Sequence, residues 1–156
     1  MTHDQLASHL ADHLCSLSDR MVWTDMQLGP VGSPRPDVYT LNKSFAHVRG
    51  LAYECKISRA DFRSDVTSGK WQNYYLFACG VIFVAPSGLL KREDIPVGCG
   101  LMTYNVSDGR WATLKAPMLR EMPECGTDFW MKLLMDGVER EHRQKRRVRQ
   151  PASPGR

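Results

Sequence analysis

At 156 residues, 42% hydrophobic and 24% charged, the chain has the length and composition of one globular domain with a substantial core and no room for a second enzyme domain. No stretch approaches the roughly 18 consecutive apolar residues of a membrane span, and Met1-Thr-His-Asp-Gln5 has neither the basic start nor the apolar core of a secretory signal. A cytoplasmic protein without membrane contact is therefore expected. Cys15, Cys55, Cys79, Cys99 and Cys125 are odd in number and include no Cys-x-x-Cys pair, which argues against a disulfide framework or zinc site and for reduced thiols.

In chain order, Thr2-x-x-Gln5 is a capping box, and Leu6, Leu10, Leu14 and Leu17 recur at helical spacing. They predict an amphipathic helix over 2–19, with His9 and His13 on its solvated face. Residues 21–28 read as a strand broken by the Gly29-Pro30-Val-Gly32-Ser-Pro34 loop, residues 37–41 as a second strand, and residues 51–57 as a third. Ser58-x-x-Asp61 is a second capping box, starting a helix that is interrupted or extended at Val66–Gly69 and resumes through Lys70 to Cys79, with Gly80 ending it. Val81–Ala85 is a continuous apolar run, predicted to be a strand buried on both faces. Segments 100–106 and 110–115 flank Ser107-Asp108-Gly109, a hairpin signal, and residues 129–143 form a final helix weakened by Gly137.

The order helix, three strands, helix, strand implies an α/β domain over 1–138, with parallel pairing across the crossover helix. Residues 139–156 hold seven Lys or Arg and two Glu, a net +5, against −1 for the other 138 residues. Arg140, Arg143, Lys145, Arg146, Arg147 and Arg149 thus make a basic tail. It either draws nucleic-acid phosphates through counterion release or is a solvated, disordered terminus.

The chemistry concentrates on two short segments, Pro36-Asp37 and Glu54-Cys55-Lys56. With a period of two, Glu54 and Lys56 share one strand face while Tyr53, Cys55 and Ile57 take the other. An acid and an amine at a core edge need compensating partners, and a divalent cation with a phosphate would supply them. Asp37 and Glu54, from different strands, can hold Mg²⁺ (or Mn²⁺) while leaving positions for water and phosphate, with the Cys55 carbonyl as a further oxygen ligand. Lys56 would then orient or deprotonate the attacking water and stabilise developing negative charge. Trp71, Tyr74, Tyr75 and Phe77 weigh towards core, and Ser58 and Asp61 are accounted for by helix capping.

Pro36-Asp37 and Glu54-x-Lys56, in this order of elements, resemble the PD-(D/E)XK nuclease superfamily. The finer run Glu54-Cys-Lys56-Ile-Ser58-Arg-Ala-Asp61-Phe62-Arg-Ser-Asp65, with Lys70-Trp71, Tyr74, Val84-Ala85-Pro86 and Gly100-Leu101, is similar to the MmcB-like DNA repair proteins within it. The resemblance covers about residues 20 to 116. It implies a restriction-endonuclease-like core, a central mixed β-sheet flanked by helices in α-β-β-β-α-β order, followed here by a hairpin and helix. It also implies Asp37 and Glu54 as metal ligands, Lys56 as the catalytic lysine, and Lys70 and Tyr74 lining the site. Asp25 is preferred over Asp12 or Asp19 as the further upstream acid.

The expected activity is a Mg²⁺-dependent DNA endonuclease in repair, recombination or mobile-element or phage DNA processing. Arg59, Arg143, Lys145, Arg146 and Arg147 are further candidate DNA contacts, and a homodimer is compatible with the chain. The alternative is a nucleic-acid-binding module that keeps the fold with little or no catalysis.

Overall fold

A single six-stranded mixed sheet organises the computed structural model, which describes residues 1–149, apart from the side chains of Gln144 and residues 146–149. The elements are α1 (His3–Ser16), β1 (Arg20–Thr24), β2 (Val38–Asn42), β3 (Gly50–Cys55), α2 (Arg59–Ser68), a 3₁₀ segment (Lys70–Leu76), β4 (Gly80–Pro86), a 3₁₀ turn (Arg92–Asp94), β5 (Gly100–Asn105), β6 (Arg110–Lys115) and α3 (Thr127–Arg149). The strands lie side by side in chain order. Pairing is parallel at β3/β4, as the crossover implied, and also at β4/β5, and antiparallel elsewhere. Among the described residues no helix is long and apolar enough to cross a membrane.

Strand alternation divides the core into two layers. On one face Leu6, Leu10 and Leu14 of α1 pack on Val38, Tyr53, Cys55, Ile82, Val84 and Met102. On the other, Tyr39, Ala52, Val81, Phe83 and Leu101 meet Phe62 of α2, Trp71 and Tyr74 of the 3₁₀ segment, and Phe129 and Leu133 of α3. Residues 80–85 are buried on both faces, which is why β4 reads as an uninterrupted apolar run. The Thr2/Gln5 capping box closes as expected.

Several boundaries differ from the sequence expectation, each for a local reason. The leucine stripe of α1 ends at Leu14, because Leu17 is the C-cap and is exposed. His9 and His13 are not simply solvated: they stack on Tyr104 and Trp111. β1 stops at Thr24 because Asp25 turns the chain at φ 50° while its N–H donates to the Asp37 carbonyl. Gly69 takes a left-handed cap (φ 69°) that ends α2, and the chain continues as a 3₁₀ segment rather than a resumed α-helix. Gly80 opens β4 instead of terminating a helix: a Cβ there would lie 2.8 Å from Leu51 and 2.9 Å from Leu119.

The largest departure is α3. Expected to end at 143 within a disordered tail beginning at 139, it runs to Arg149; residues 150–156 lie outside the described residues. Its second half carries i,i+4 pairs Asp136–Arg140, Glu139–Arg143 and Glu141–Lys145, which favour helix. Its first half is tied to β1, where the Trp23 indole N–H donates to the Leu133 carbonyl at 3.1 Å.

Phe83, fully buried and edge-on to both Phe62 and Trp71, joins the central strand to the crossover. Phe83→Ala is expected to lower unfolding free energy by about 3–5 kcal/mol in urea titrations, whereas Val97→Ala, at an 89% exposed position, leaves it nearly unchanged.

Candidate active site at the ends of β2 and β3

The two-residue period of β3 turns Cys55 into the α1 layer and directs Glu54 and Lys56 towards α2 and the 3₁₀ segment. Lys56 Nζ donates to Glu54 Oε1 at 3.1 Å, and the Tyr74 hydroxyl donates to Glu54 Oε2 at 2.6 Å. Asp37 immediately precedes β2, whose first residue, Val38, pairs with Tyr53. Its Oδ2 accepts the Cys55 N–H at 2.6 Å, clamping the carboxylate to the end of β3, and lies 3.1 Å from His3 Nε2. The three residues singled out from the sequence therefore meet at one end of two adjacent strands.

Burial sets their protonation. Glu54 is pushed up to about 7, first by burial and then by the neighbouring Asp37 carboxylate. Asp37 is also raised by burial, against the pull of the Cys55 N–H and His3. Burial works against the Lys56 charge, but Glu54 and Asp65 outweigh it and hold the ammonium above the ordinary lysine range. Lys56 is only 4% exposed and reaches Asp65 at 2.8 Å and Asp61 at 3.6 Å. Of the three roles expected for this lysine, charge stabilisation and orientation fit a firmly charged amine, and deprotonation of water does not. The Tyr74 hydroxyl, raised by burial and by Glu54, remains a donor.

Three participants were not assigned to the site from sequence. His3, in the first turn of α1, carries no periodic signal and reaches Asp37 only through packing. Asp61 does more than cap: Ser58 Oγ accepts its N–H at 3.1 Å while its carboxylate turns to Lys56. Asp65 could have been found, since Asp61 and Asp65 at i and i+4 share the helix face that follows Lys56.

The remaining candidates separate. The Cys55 thiol is sealed in the core and raised by burial, leaving its carbonyl as the available donor. Asp25 lies beyond β1 rather than on it, with its carboxylate held by Arg35 at 2.7 Å. Arg59 is not free for substrate: its guanidinium donates to the Leu89 carbonyl and to Asp94, both at 2.9 Å, tethering α2 to the loop after β4. Lys70 is exposed and, with Arg35, Asn73 and Tyr74, lines a cavity of about 780 Å³ between the 30–35 loop and the 3₁₀ segment. Arg143 lines a second cavity of about 770 Å³, between α1 and α3, with His3, Asp25, Asp37 and Arg140. Lys145 is exposed and paired with Glu141. The Arg146 and Arg147 side chains lie outside the described residues. Trp71 and Tyr74 are core residues, although Tyr74 also reaches Glu54, and the Trp71 indole N–H has no partner among the described residues.

Among the described residues no group of three or more His, Cys, Asp or Glu is arranged to hold a metal ion. The oxygen donors present are two repelling carboxylates, and Mg²⁺ characteristically takes one or two carboxylates and completes its shell with water and substrate phosphate. The donor set fits that mode.

No family model and no curated protein matches the chain. A solved structure of a protein of unknown function from Silicibacter pomeroyi superposes with a TM-score of 0.69 at 22% identity, covering 99% of this chain and 97% of that one. The likeness is one of fold, and it extends along the whole chain.

The Glu54 shift has a measurable consequence. An acid whose folded value lies above its ordinary 4.5 holds its proton more tightly in the native state, so its contribution to stability falls as pH rises from about 4.5 through about 7. Asp37 and His3, both raised, act in the same sense. Urea titrations across this range are expected to show Glu54→Gln gaining on the wild type as pH increases; parallel curves would mean that Glu54 is not shifted.

Proposed function

We propose that the chain is a Mg²⁺- or Mn²⁺-dependent deoxyribonuclease of the PD-(D/E)XK, restriction-endonuclease-like class, hydrolysing phosphodiester bonds in DNA repair, recombination or mobile-element or phage DNA processing. The observation that carries this reading is the convergence of Asp37, Glu54 and Lys56 at the ends of β2 and β3. The order α1, β1–β3, α2, β4 around them supports it, being the order the resemblance implied.

The chain's own residues divide the work. Asp37 and Glu54 supply the oxygen donors, and a bound Mg²⁺ would supply charge withdrawal and a hydroxide-like water near neutral pH. Lys56, permanently charged, offsets negative charge developing on the phosphoryl oxygens. Tyr74 fixes the Glu54 carboxylate by donating to it, and the Cys55 N–H does the same for Asp37.

The two cavities extend the site. Asp25 lines the one beside Asp37, and Arg35 lines the one beside Tyr74. The Asp25–Arg35 ion pair therefore marks their border. Basic groups stand on both sides, Arg140 and Arg143 on one and Arg35 and Lys70 on the other, as an extended polyanion crossing the carboxylates requires. Arg140 is partly committed, since it also donates to Thr24.

One observation favours the second reading, a binding module without catalysis: the Lys56 ammonium is already held by Asp65 and Glu54. Incubation with supercoiled, linear, branched and single-stranded DNA, with and without Mg²⁺ or Mn²⁺, separates the two. Metal-dependent cleavage is expected, reduced by about 10²-fold or more in Asp37→Asn and in Glu54→Gln, with DNA affinity largely retained. Binding to DNA with no cleavage of any of these substrates would leave the binding module in its place.

Metal should also stabilise the fold. A ligand that binds only the native state at about 100 times its Kd adds about 2.7 kcal/mol. Millimolar Mn²⁺ is expected to raise the melting temperature of the wild type but not that of Asp37→Asn, and an equal shift in both would remove the ion from this site.

A further inference from the structure

The outer side of α3 carries apolar residues that nothing in the described chain covers. Met131, Leu134, Met135 and Val138 are 47%, 61%, 59% and 43% exposed, and Trp130, at 40%, flanks them. At 3.6 residues per turn these four lie opposite Phe129, Leu133 and Arg140, the residues that face the sheet and Thr24. Five large apolar side chains contiguous on one helix face mark an interaction surface rather than scattered exposure. Residues 150–156 contain no large apolar side chain.

The charges at the two ends of the stripe are opposite. Residues 121–128 hold Glu121, Glu124 and Asp128 with no Lys or Arg, a charge of −3, whereas residues 139–149 hold six Lys or Arg and two Glu, a charge of +4. Glu121, Glu124, Asp128, Arg143 and Lys145 are all exposed. A surface with an apolar centre, one acidic end and one basic end is complementary to itself when reversed. Anionic DNA or an anionic lipid surface would meet the acidic end unfavourably.

We infer that α3 is a self-association helix, pairing antiparallel with α3 of a second copy of this chain about a two-fold axis near Leu134 and Met135. Such a contact is isologous. It places Met131 of each copy near Val138 of the other, and brings each acidic end beside the opposite basic end. The antiparallel sense also opposes the two helix dipoles favourably. Arg143 lies off the stripe, on the side facing α1, so pairing leaves the cavity beside Asp37 open. This inference does not depend on the nuclease reading.

Light scattering on the full chain, from low to high micromolar concentration, tests it. The wild type is expected to approach twice its 17.7 kDa mass. Leu134→Glu should weaken association by about 100-fold or more through an uncompensated charge in the apolar centre, with unchanged circular dichroism and, at concentrations low enough for both to be monomeric, unchanged melting, because the side chain is 61% exposed in the protomer. Val97→Glu, on a remote exposed loop, should associate as the wild type does. Asp128→Lys reports orientation: it takes the acidic end from −3 to about −1 and sets a lysine against the opposite basic end, weakening an antiparallel pair, whereas in a parallel pair it relieves the repulsion between two acidic ends and does not weaken association. A wild type that stays monomeric throughout, a dimer indifferent to Leu134→Glu, or a dimer indifferent to Asp128→Lys would each overturn the proposal. So would a monomer that loses affinity for DNA or anionic vesicles on Leu134→Glu, which would give the stripe to that partner.

Discussion

A buried amine stays charged only where carboxylates surround it, and the end of β3 is arranged around that requirement. Lys56 leaves the strand at its last paired turn, its N–H bonded to the Val84 carbonyl at 2.7 Å, and its ammonium meets Glu54, Asp65 and Asp61. Two of these acids come from α2, so the helix that covers the core also neutralises the site. The position of α2 is fixed in turn by the Ser58 cap at its start, by Phe62 against Phe83, and by the Arg59 link to Leu89 and Asp94. Glu54 is left with a hydrogen bond on each oxygen and a raised proton affinity, a state that favours any cation able to relieve its repulsion with Asp37.

The N-terminal helix belongs to the same arrangement. Through Leu6, Leu10 and Leu14 it seals the face of the sheet that Cys55 occupies, and through His3 it touches the Asp37 carboxylate that Cys55 binds by its N–H. Packing of α1 and placement of Asp37 are therefore mechanically linked. Displacing the helix would remove one partner of the carboxylate and expose the thiol layer behind it.

What could be read in advance was whatever a short period or local signal encodes. The alternation in Glu54-Cys55-Lys56, the apolar run of β4, the capping box at Thr2, the N-cap at Ser58 and the turn at Asp108-Gly109 all act within a few residues, and each formed; at Ser58 the box stays half closed, because the Asp61 carboxylate turns to Lys56. Contacts made by distant segments were not legible. Nothing local in His3 indicates Asp37, nothing in Arg59 indicates the Leu89 carbonyl, and nothing in Arg140 indicates Thr24. The basic stretch after residue 139 shows the same limit. Its composition reads as a solvated tail, but i,i+4 pairing and the anchoring of α3 on Trp23 make residues 139–149 a helix.

That helix ties the catalytic and associative readings together. Phe129, Leu133 and Arg140 dock one side of α3 against the sheet and Thr24, which carries Arg143 to the cavity beside Asp37. Met131, Leu134, Met135 and Val138 lie on the opposite side of the same helix, so a partner can cover them while Arg140 and Arg143 keep their places at the cavity.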